Sequence, residues 1–180
     1  LEKARGVATW QPDMKPAALT FGAHGWFDAL AIANDQVCYS ASGIGIVSAQ
    51  LRCSSAEQPL WLGGSSVRHL QLSADRLLWA SATSVGIVKV STALTALGQW
   101  RVHGLPRALA GTPRWAAWDE GSAVVVGELH VEGTRRFDVG LAAEGRVVLA
   151  GLADRVLFGP TADCSLRALD VGNHEQQCLM

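Results

Sequence analysis

Two kinds of residue return along this chain at one interval, and that interval limits the fold more than any other feature. Leucine stands at Leu30, Leu70, Leu109 and Leu149, and an aromatic closes a later apolar run at Tyr39, Trp79, Trp118 and Phe158; both series step by 40, 39 and 40 residues. Four positions before each aromatic a polar residue, Asp35, Asp75, Arg114 or Asp154, interrupts the apolar pattern. A further aromatic series, Phe21, Trp61, Trp100 and Phe137, steps by 40, 39 and 37, with Gly22, Gly63, Gly104 and Gly140 close behind. Independent series with a shared period mark a chain built of copies, each of which must stack on its neighbours to cover apolar faces that it cannot bury alone.

The unit is clearest between residues 67 and 90, VRHLQLSADRLLWASATSVGIVKV. Its apolar runs are about 4 to 6 residues long, short of the roughly 10 to 12 that a helix wants. Short strands joined by tight turns are the expectation. A period near 40 that holds about four such strands predicts a β-propeller blade. A β-sandwich also has regularly spaced strands, but it gives no reason for self-similarity over this length. The predicted fold is all-β, a propeller or partial propeller of about four full four-stranded blades plus an N-terminal half-blade, in a single domain. Residues 1–25 read as the half-blade, with strands over 4–10 and 17–21, and 26–65, 66–104, 105–143 and 144–180 as the repeats. Either the N-terminal strands complete the last blade and close a ring, or the chain is an arc of a larger ring. With Leu1 in first place, both a mature form and a portion of a longer chain are expectations.

Motifs inside the repeats narrow the type. His24-Gly25 and His103-Gly104 stand at turns, Ser40 and Ser81 lie in second strands, and residues 44–47 and 87–90 read as third strands. Val7-Ala8-Thr9-Trp10 reads as a strand ending on tryptophan. In these respects nearly the whole chain resembles divergent WD40 repeats. It departs from them where their closing Trp-Asp pair is due: Gln11 follows Trp10, Ser91 follows Val90, and the blade-turn aspartate is missing from the first two repeats. Propeller repeats of the YWTD and NHL types share the period and stay open as readings. The resemblance implies a noncatalytic scaffold, a subunit of a larger complex that holds a peptide or another protein subunit on its rim.

Composition excludes several classes. Apolar residues make up 49% of the chain, charged residues 17%, and the mean hydropathy is +0.18, which suits an ordered, well-buried domain. A net charge of −1 supplies no general attraction to nucleic acid or to an anionic membrane. No apolar run approaches the roughly 18 to 20 residues of a membrane-spanning helix, and no signal-peptide core opens the sequence.

Among the four cysteines, Cys164 and Cys178 are centred on Val171, beside the Gly172-Asn173 turn pair. A hairpin there would set their sulfurs across from each other as a bridge in an oxidising compartment. Cys38 and Cys53 lack such symmetry. The preferred expectation is that all four are reduced, serving as small core residues of a protein in the cytoplasm or nucleus.

Candidate binding residues follow from propeller geometry, in which first strands line the central channel. Two places before the repeated leucine stand Asp28, Arg68, Arg107 and Val147, with Arg146 one step earlier. A ring of arginines beside Asp28 could grip an acidic side chain or a phosphate through charge-assisted bonds; the alternative is a set of solvated edge charges making local pairs. Trp26 and Trp115 fall outside the repeat positions, and each would serve as an exposed platform or as packing. The histidines, His24, His69, His103, His130 and His174, lack metal-ligand spacing. No G-x-S-x-G occurs, Gly43-Ile44-Gly45 is an incomplete dinucleotide fingerprint, and Asp119-Glu120 before Gly121 read as turn formers. No cofactor is called for. The reading set against the scaffold is a secreted propeller enzyme or lectin that binds a glycan or small ligand at the channel mouth.

Overall fold

A computed structural model of the chain describes residues 7–9, 17–19, 26–33, 36–42, 49–63 and 66–180. The described residues form strands and turns, without helix. β1 (Val7–Thr9) and β2 (Ala17–Leu19) pair as a hairpin. Four antiparallel sheets of four strands follow, each a meander in chain order. Blade 1 holds β3 (Trp26–Ala33), β4 (Gln36–Ser42), β5 (Ala49–Cys53) and β6 (Leu60–Leu62). Blade 2 holds β7 (Val67–Ser73), β8 (Arg76–Ser81), β9 (Ser84–Val90) and β10 (Leu94–Arg101). Blade 3 holds β11 (Leu109–Gly111), β12 (Trp115–Glu120), β13 (Ala123–Glu128) and β14 (Arg135–Asp138). Blade 4 holds β15 (Val148–Leu152), β16 (Arg155–Gly159), β17 (Arg167–Asp170) and β18 (Gln176–Cys178). First strands adjoin in succession, β3 with β7, β7 with β11 and β11 with β15. That is the radial order of a propeller, not the two facing layers of a sandwich.

The two series that set the period are cross-strand partners. In each blade the first-strand leucine lies directly opposite the second-strand aromatic: Leu30 and Tyr39, Leu70 and Trp79, Leu109 and Trp118, Leu149 and Phe158. Opposed residues share one face of a sheet. In blades 2, 3 and 4 that face is turned to the preceding blade. Trp79 packs with Cys38, Leu51 and Cys53, Trp118 with Leu78, Ile87 and Trp100, and Phe158 with Ala117, Val124 and Val126. Each buried aromatic contributes about 1.5–3 kcal/mol, and it does so at a junction between sheets.

The polar turn residue works through its backbone. Val90 N–H donates to the carbonyl of Asp75, Leu129 to that of Arg114 and Val171 to that of Asp154, each at 2.8 Å. A backbone role explains why arginine serves there as well as aspartate. Asp35 lies outside the described residues.

The outer aromatic series is less uniform. Trp100 of blade 2 is buried against Trp118 of blade 3, with ring centroids 6.1 Å apart, and a Cβ on Gly127 would stand 2.4 Å from its ring. Phe137 meets His174 of blade 4 edge-on at 5.3 Å. Trp61, expected as an anchor of the same kind, is 56% exposed. It lies opposite Gln50, and so on the face that carries Tyr39, whereas Trp100 lies opposite Val85 on the face turned to the next blade. A slip of one residue moves a side chain to the other face, and Leu60 and Leu62 occupy the junction in its place. Phe21 falls outside the described residues, as do Gly43-Ile44-Gly45 and His24-Gly25.

The expectation of reduced cysteines is corrected. Cys38 and Cys53 are directly opposed on β4 and β5, with Cα atoms 4.1 Å apart, and are bonded. The pair has no turn signal centred between its two residues in the sequence, as Cys164 and Cys178 have in Gly172-Asn173. Cys164 is bonded to Cys178, although Cys178 lies opposite Arg167 and Cys164 reaches it from the segment before β17. Asp170 closes that hairpin by accepting the N–H groups of Gly172 and Asn173 at 2.9 and 3.0 Å. The Asn173 N–H foremost holds its carboxyl below the ordinary aspartate range.

Because Gly127 leaves room for Trp100 at the junction of blades 2 and 3, Gly127→Ala should lower stability by about 1–3 kcal/mol. Chemical denaturation measures it; an unchanged midpoint would contradict this packing.

Candidate functional site

The starts of the first strands share one end of the blades with the hairpins between second and third strands, and the expected binding residues lie there. Asp28 and Arg68 occupy the same structural position. Each is the extra residue of a β-bulge, between Phe27 and Ala29 in β3 and between Val67 and His69 in β7, a device that re-aims a side chain near the end of a strand. Asp28 is partly buried, and its Oδ2 has no hydrogen-bond partner among the described residues. Arg68 is exposed, as is Arg146 in the segment between blades 3 and 4. Among the described residues no hydrogen bond or ion pair joins Asp28, Arg68 and Arg146 to one another.

Arg107 stands apart from the predicted ring. Its Nε donates to Asp119 Oδ2 at 2.7 Å, Nη1 to the carbonyls of Ala142 and Ala143 at 2.8 and 3.0 Å, and Nη2 to the carbonyl of Gly121 at 2.9 Å. The backbone N–H groups of Arg107 and Ala108 both donate to Asp119 Oδ1 at 2.8 Å. The guanidinium fork is therefore committed, fastening the start of blade 3 to its own second strand and to the segment that leads into blade 4. Of the two readings, a ligand grip and a locally paired charge, Arg107 takes the second and acts as a structural fastener, because the carboxylate opposite it is buried and needs a charge.

From the sequence, Asp119 reads as a turn former. It is 4% exposed and accepts three hydrogen bonds. A signal did exist: the residue after the repeated aromatic is Ser40, Ala80 and Gly159 in the other blades, small each time, so a carboxylate at that position demands a partner. Its neighbour Glu120 turns to the other face, where it accepts from Trp118 Nε1 and Arg136 Nη1, each at 3.1 Å. Two adjacent carboxylates with separate partners do not make an acid/base pair.

Of the two readings open for Trp115, the structure takes packing. Trp115 is buried, and its Nε1 donates to the carbonyl of Ala153 at 3.1 Å, so it packs across the junction of blades 3 and 4. Trp26 opens β3; its side chain is outside the described residues. His103 is exposed and stands 3.9 Å from Glu120 Oε2. Among the described residues no group of His, Cys, Asp and Glu side chains is gathered as a metal site. At the outer end, Arg135 pairs with Glu128, donates to the Val171 carbonyl at 2.8 Å and lies 3.2 Å from His174 Nε2, which ties blade 3 to blade 4. The pocket beside it, about 40 Å³, has room for water and not for a substrate.

Arg107→Ala should cost about 3 kcal/mol of stability, since it leaves a buried carboxylate without its charge. Arg107→Lys should recover little of it, as one ammonium cannot reach acceptors set around a fork. Thermal unfolding checks both, and a full recovery by lysine would contradict the fastener.

No protein-family model and no curated protein matches the chain. Solved structures do. A chain of the structure titled "Crystal Structure of Mitotic Checkpoint Complex" aligns with a TM-score of 0.63 at 14% identity, over 96% of this chain and 59% of that one. The Saccharomyces cerevisiae protein Sqt1 aligns at 0.58 and 15%, over 87% of this chain and 48% of its own. The WD40 β-propeller domain of Doa1 aligns at 0.58 and 8%, over 94% and 59%. This chain thus spans about half to three fifths of the length of the proteins it is similar to. At such identities the shared property is the fold, and the four successive meander sheets agree with it: the chain has a β-propeller fold similar to that of WD40 propellers.

Proposed function

We propose that the protein is a noncatalytic interaction scaffold that binds a protein subunit or peptide at the end of the blades where the first strands begin. The observation that carries this reading is the division of labour among the arginines. Arg107 is committed to holding the rim in shape, while Arg68 and Arg146 project from it exposed. Exposed guanidinium groups on a rigid rim suit a carboxylate-bearing segment of a partner, through charge-assisted and bidentate bonds. The fold supports the same reading more loosely, since propellers of this kind serve widely as platforms and fold alone does not fix a function.

The test is binding to an immobilised peptide library of varied charge. Acidic peptides should be retained, and Arg68→Ala with Arg146→Ala should weaken them about tenfold, or roughly 1.4 kcal/mol, with an unchanged melting temperature. Equal retention by wild type and variant would overturn the site.

The second reading, a secreted propeller that binds a glycan or small ligand at the channel mouth, draws support from the two disulfides. Such bonds persist in oxidising compartments and are rare in the cytosol, so they favour a secreted or luminal location over the cytoplasm or nucleus. Protein isolated with its thiols blocked should gain about two hydrogens in mass per bridge on reduction. Four blocked thiols before reduction would return the protein to the cytosol.

A further inference from the structure

Each blade presents its fourth strand as an outer edge, and three of the four edges are blunted. β6 has three residues, with Pro59 directly before it. β14 has four, of which Arg135, Arg136 and Asp138 are charged. β18 has three and is tied back through the Cys164–Cys178 bridge. Shortness, charge and proline are the means by which folded proteins keep a free edge from pairing with another chain. β10 uses little of this. It is eight residues long and uncharged from Leu94 to Trp100, and among the described residues no strand pairs with its outer side. Its one irregularity is the bulge between Ala96 and Gly98. The extra residue, Leu97, packs into the junction with blade 3, and Gly98 to Arg101 continue in regular register with Ile87 to Ser84.

The surroundings of this edge describe its partner. A Cβ on Gly98 would stand 2.8 Å from Leu129 Cδ2, so the turn of blade 3 that follows β13 flanks the strand, and Val131 in that turn is 51% exposed. At the other end the Glu57 N–H of blade 1 donates to the carbonyl of Thr92 at 3.2 Å, which fixes the approach to β10. The outer hairpin from Ser84 to Arg101 carries two charged residues, Lys89 and Arg101, and no carboxylate. Both side chains are exposed, and neither makes a hydrogen bond or ion pair among the described residues. Lys89 lies opposite Thr95, so the two cations stand toward the two ends of β10. A second copy of the chain pairing through the same edge would bring the same cations and nothing to neutralise them, whereas an acidic strand neutralises both. We propose that the outer edge of β10 takes up an extended segment of a partner protein as a fifth strand of blade 2, with uncharged side chains along its middle and a carboxylate toward each end. Main-chain hydrogen bonds supply the affinity, Val131 gives an apolar wall for one side chain, and Lys89 and Arg101 select the sequence. Occupation of this edge is independent of what binds at the rim.

The probe is a displayed library of peptides about ten residues long, enough to span β10, built from threonine, valine, isoleucine and glutamine with either glutamate or lysine at both ends. Glutamate-ended peptides should be enriched, and a selected one should slow amide hydrogen exchange in 94–101 while leaving β6, β14 and β18 unchanged. Arg101→Glu, at an exposed position, should keep the melting temperature and weaken that peptide about fivefold, the scale of one exposed ion pair. The same variant should bind better once one terminal glutamate of the peptide is replaced by lysine. Arg68→Ala with Arg146→Ala should bind the peptide as the wild type does, so that failure at the rim and failure at this edge are told apart. Enrichment of lysine-ended peptides to the same extent, enrichment of neither kind, protection on another outer strand, or wild-type binding by Arg101→Glu would overturn the proposal. Protection of 94–101 that rises with concentration in the peptide-free protein would overturn it as well, and assign the edge to a second copy.

Discussion

The structure depends on one contact made at each junction between the four described blades: an aromatic on the second strand of the later blade, Trp79, Trp118 or Phe158, backed by a leucine on the first, pressed onto the sheet before it. Tyr39, Trp79, Trp118 and Phe158 hold equivalent places. Where the preceding sheet carries small or branched residues, such as Leu51 or Val124, the ring finds a matching surface. A single sheet has two such faces and cannot cover either one, so the stabilisation belongs to pairs of blades rather than to any blade. That also accounts for the tightness around Trp100, where Gly127 leaves room for a second ring tilted by 32° against Trp118.

The disulfides follow the same logic of coverage. Cys38–Cys53 lies in blade 1 and Cys164–Cys178 in blade 4, the two full blades at the ends of the arc. Blades 2 and 3 are packed on both faces and contain no cysteine. Each covalent link limits the unfolded chain and so adds stability to the blade that carries it. In blade 4 it holds β18, whose side chains are all exposed and supply little packing of their own.

Electrostatics at the rim is arranged around a buried carboxylate. Asp119 sits where the other blades have a small residue, and Arg107 with two backbone N–H groups satisfies it. The arrangement spends one arginine on architecture and leaves Arg68 and Arg146 exposed. A rim built this way is stiff, because the segment leading into blade 4 is tied to blade 3 through the carbonyls of Ala142 and Ala143.

The repeat, the strand order and the identity of the anchor residues were legible in the amino-acid sequence, because burial at a fixed place in each blade imposes a spacing that survives even where the residues themselves vary. The role of Arg114 and Asp154 as turn carbonyls was legible as position but not as chemistry. Three features were decided in three dimensions. The face taken by Trp61 depends on a one-residue register, which spacing does not encode. The partner of Asp119 lies 12 residues back along the chain and is chosen by which groups meet at the rim. The bond between Cys38 and Cys53 requires the register of β4 and β5 that sets the two residues directly opposite each other. The linear chain thus determined what repeats, through local periodicity, while the tertiary structure determined what each charge, ring and sulfur touches, since those contacts join residues whose distance in space the spacing of the sequence does not record.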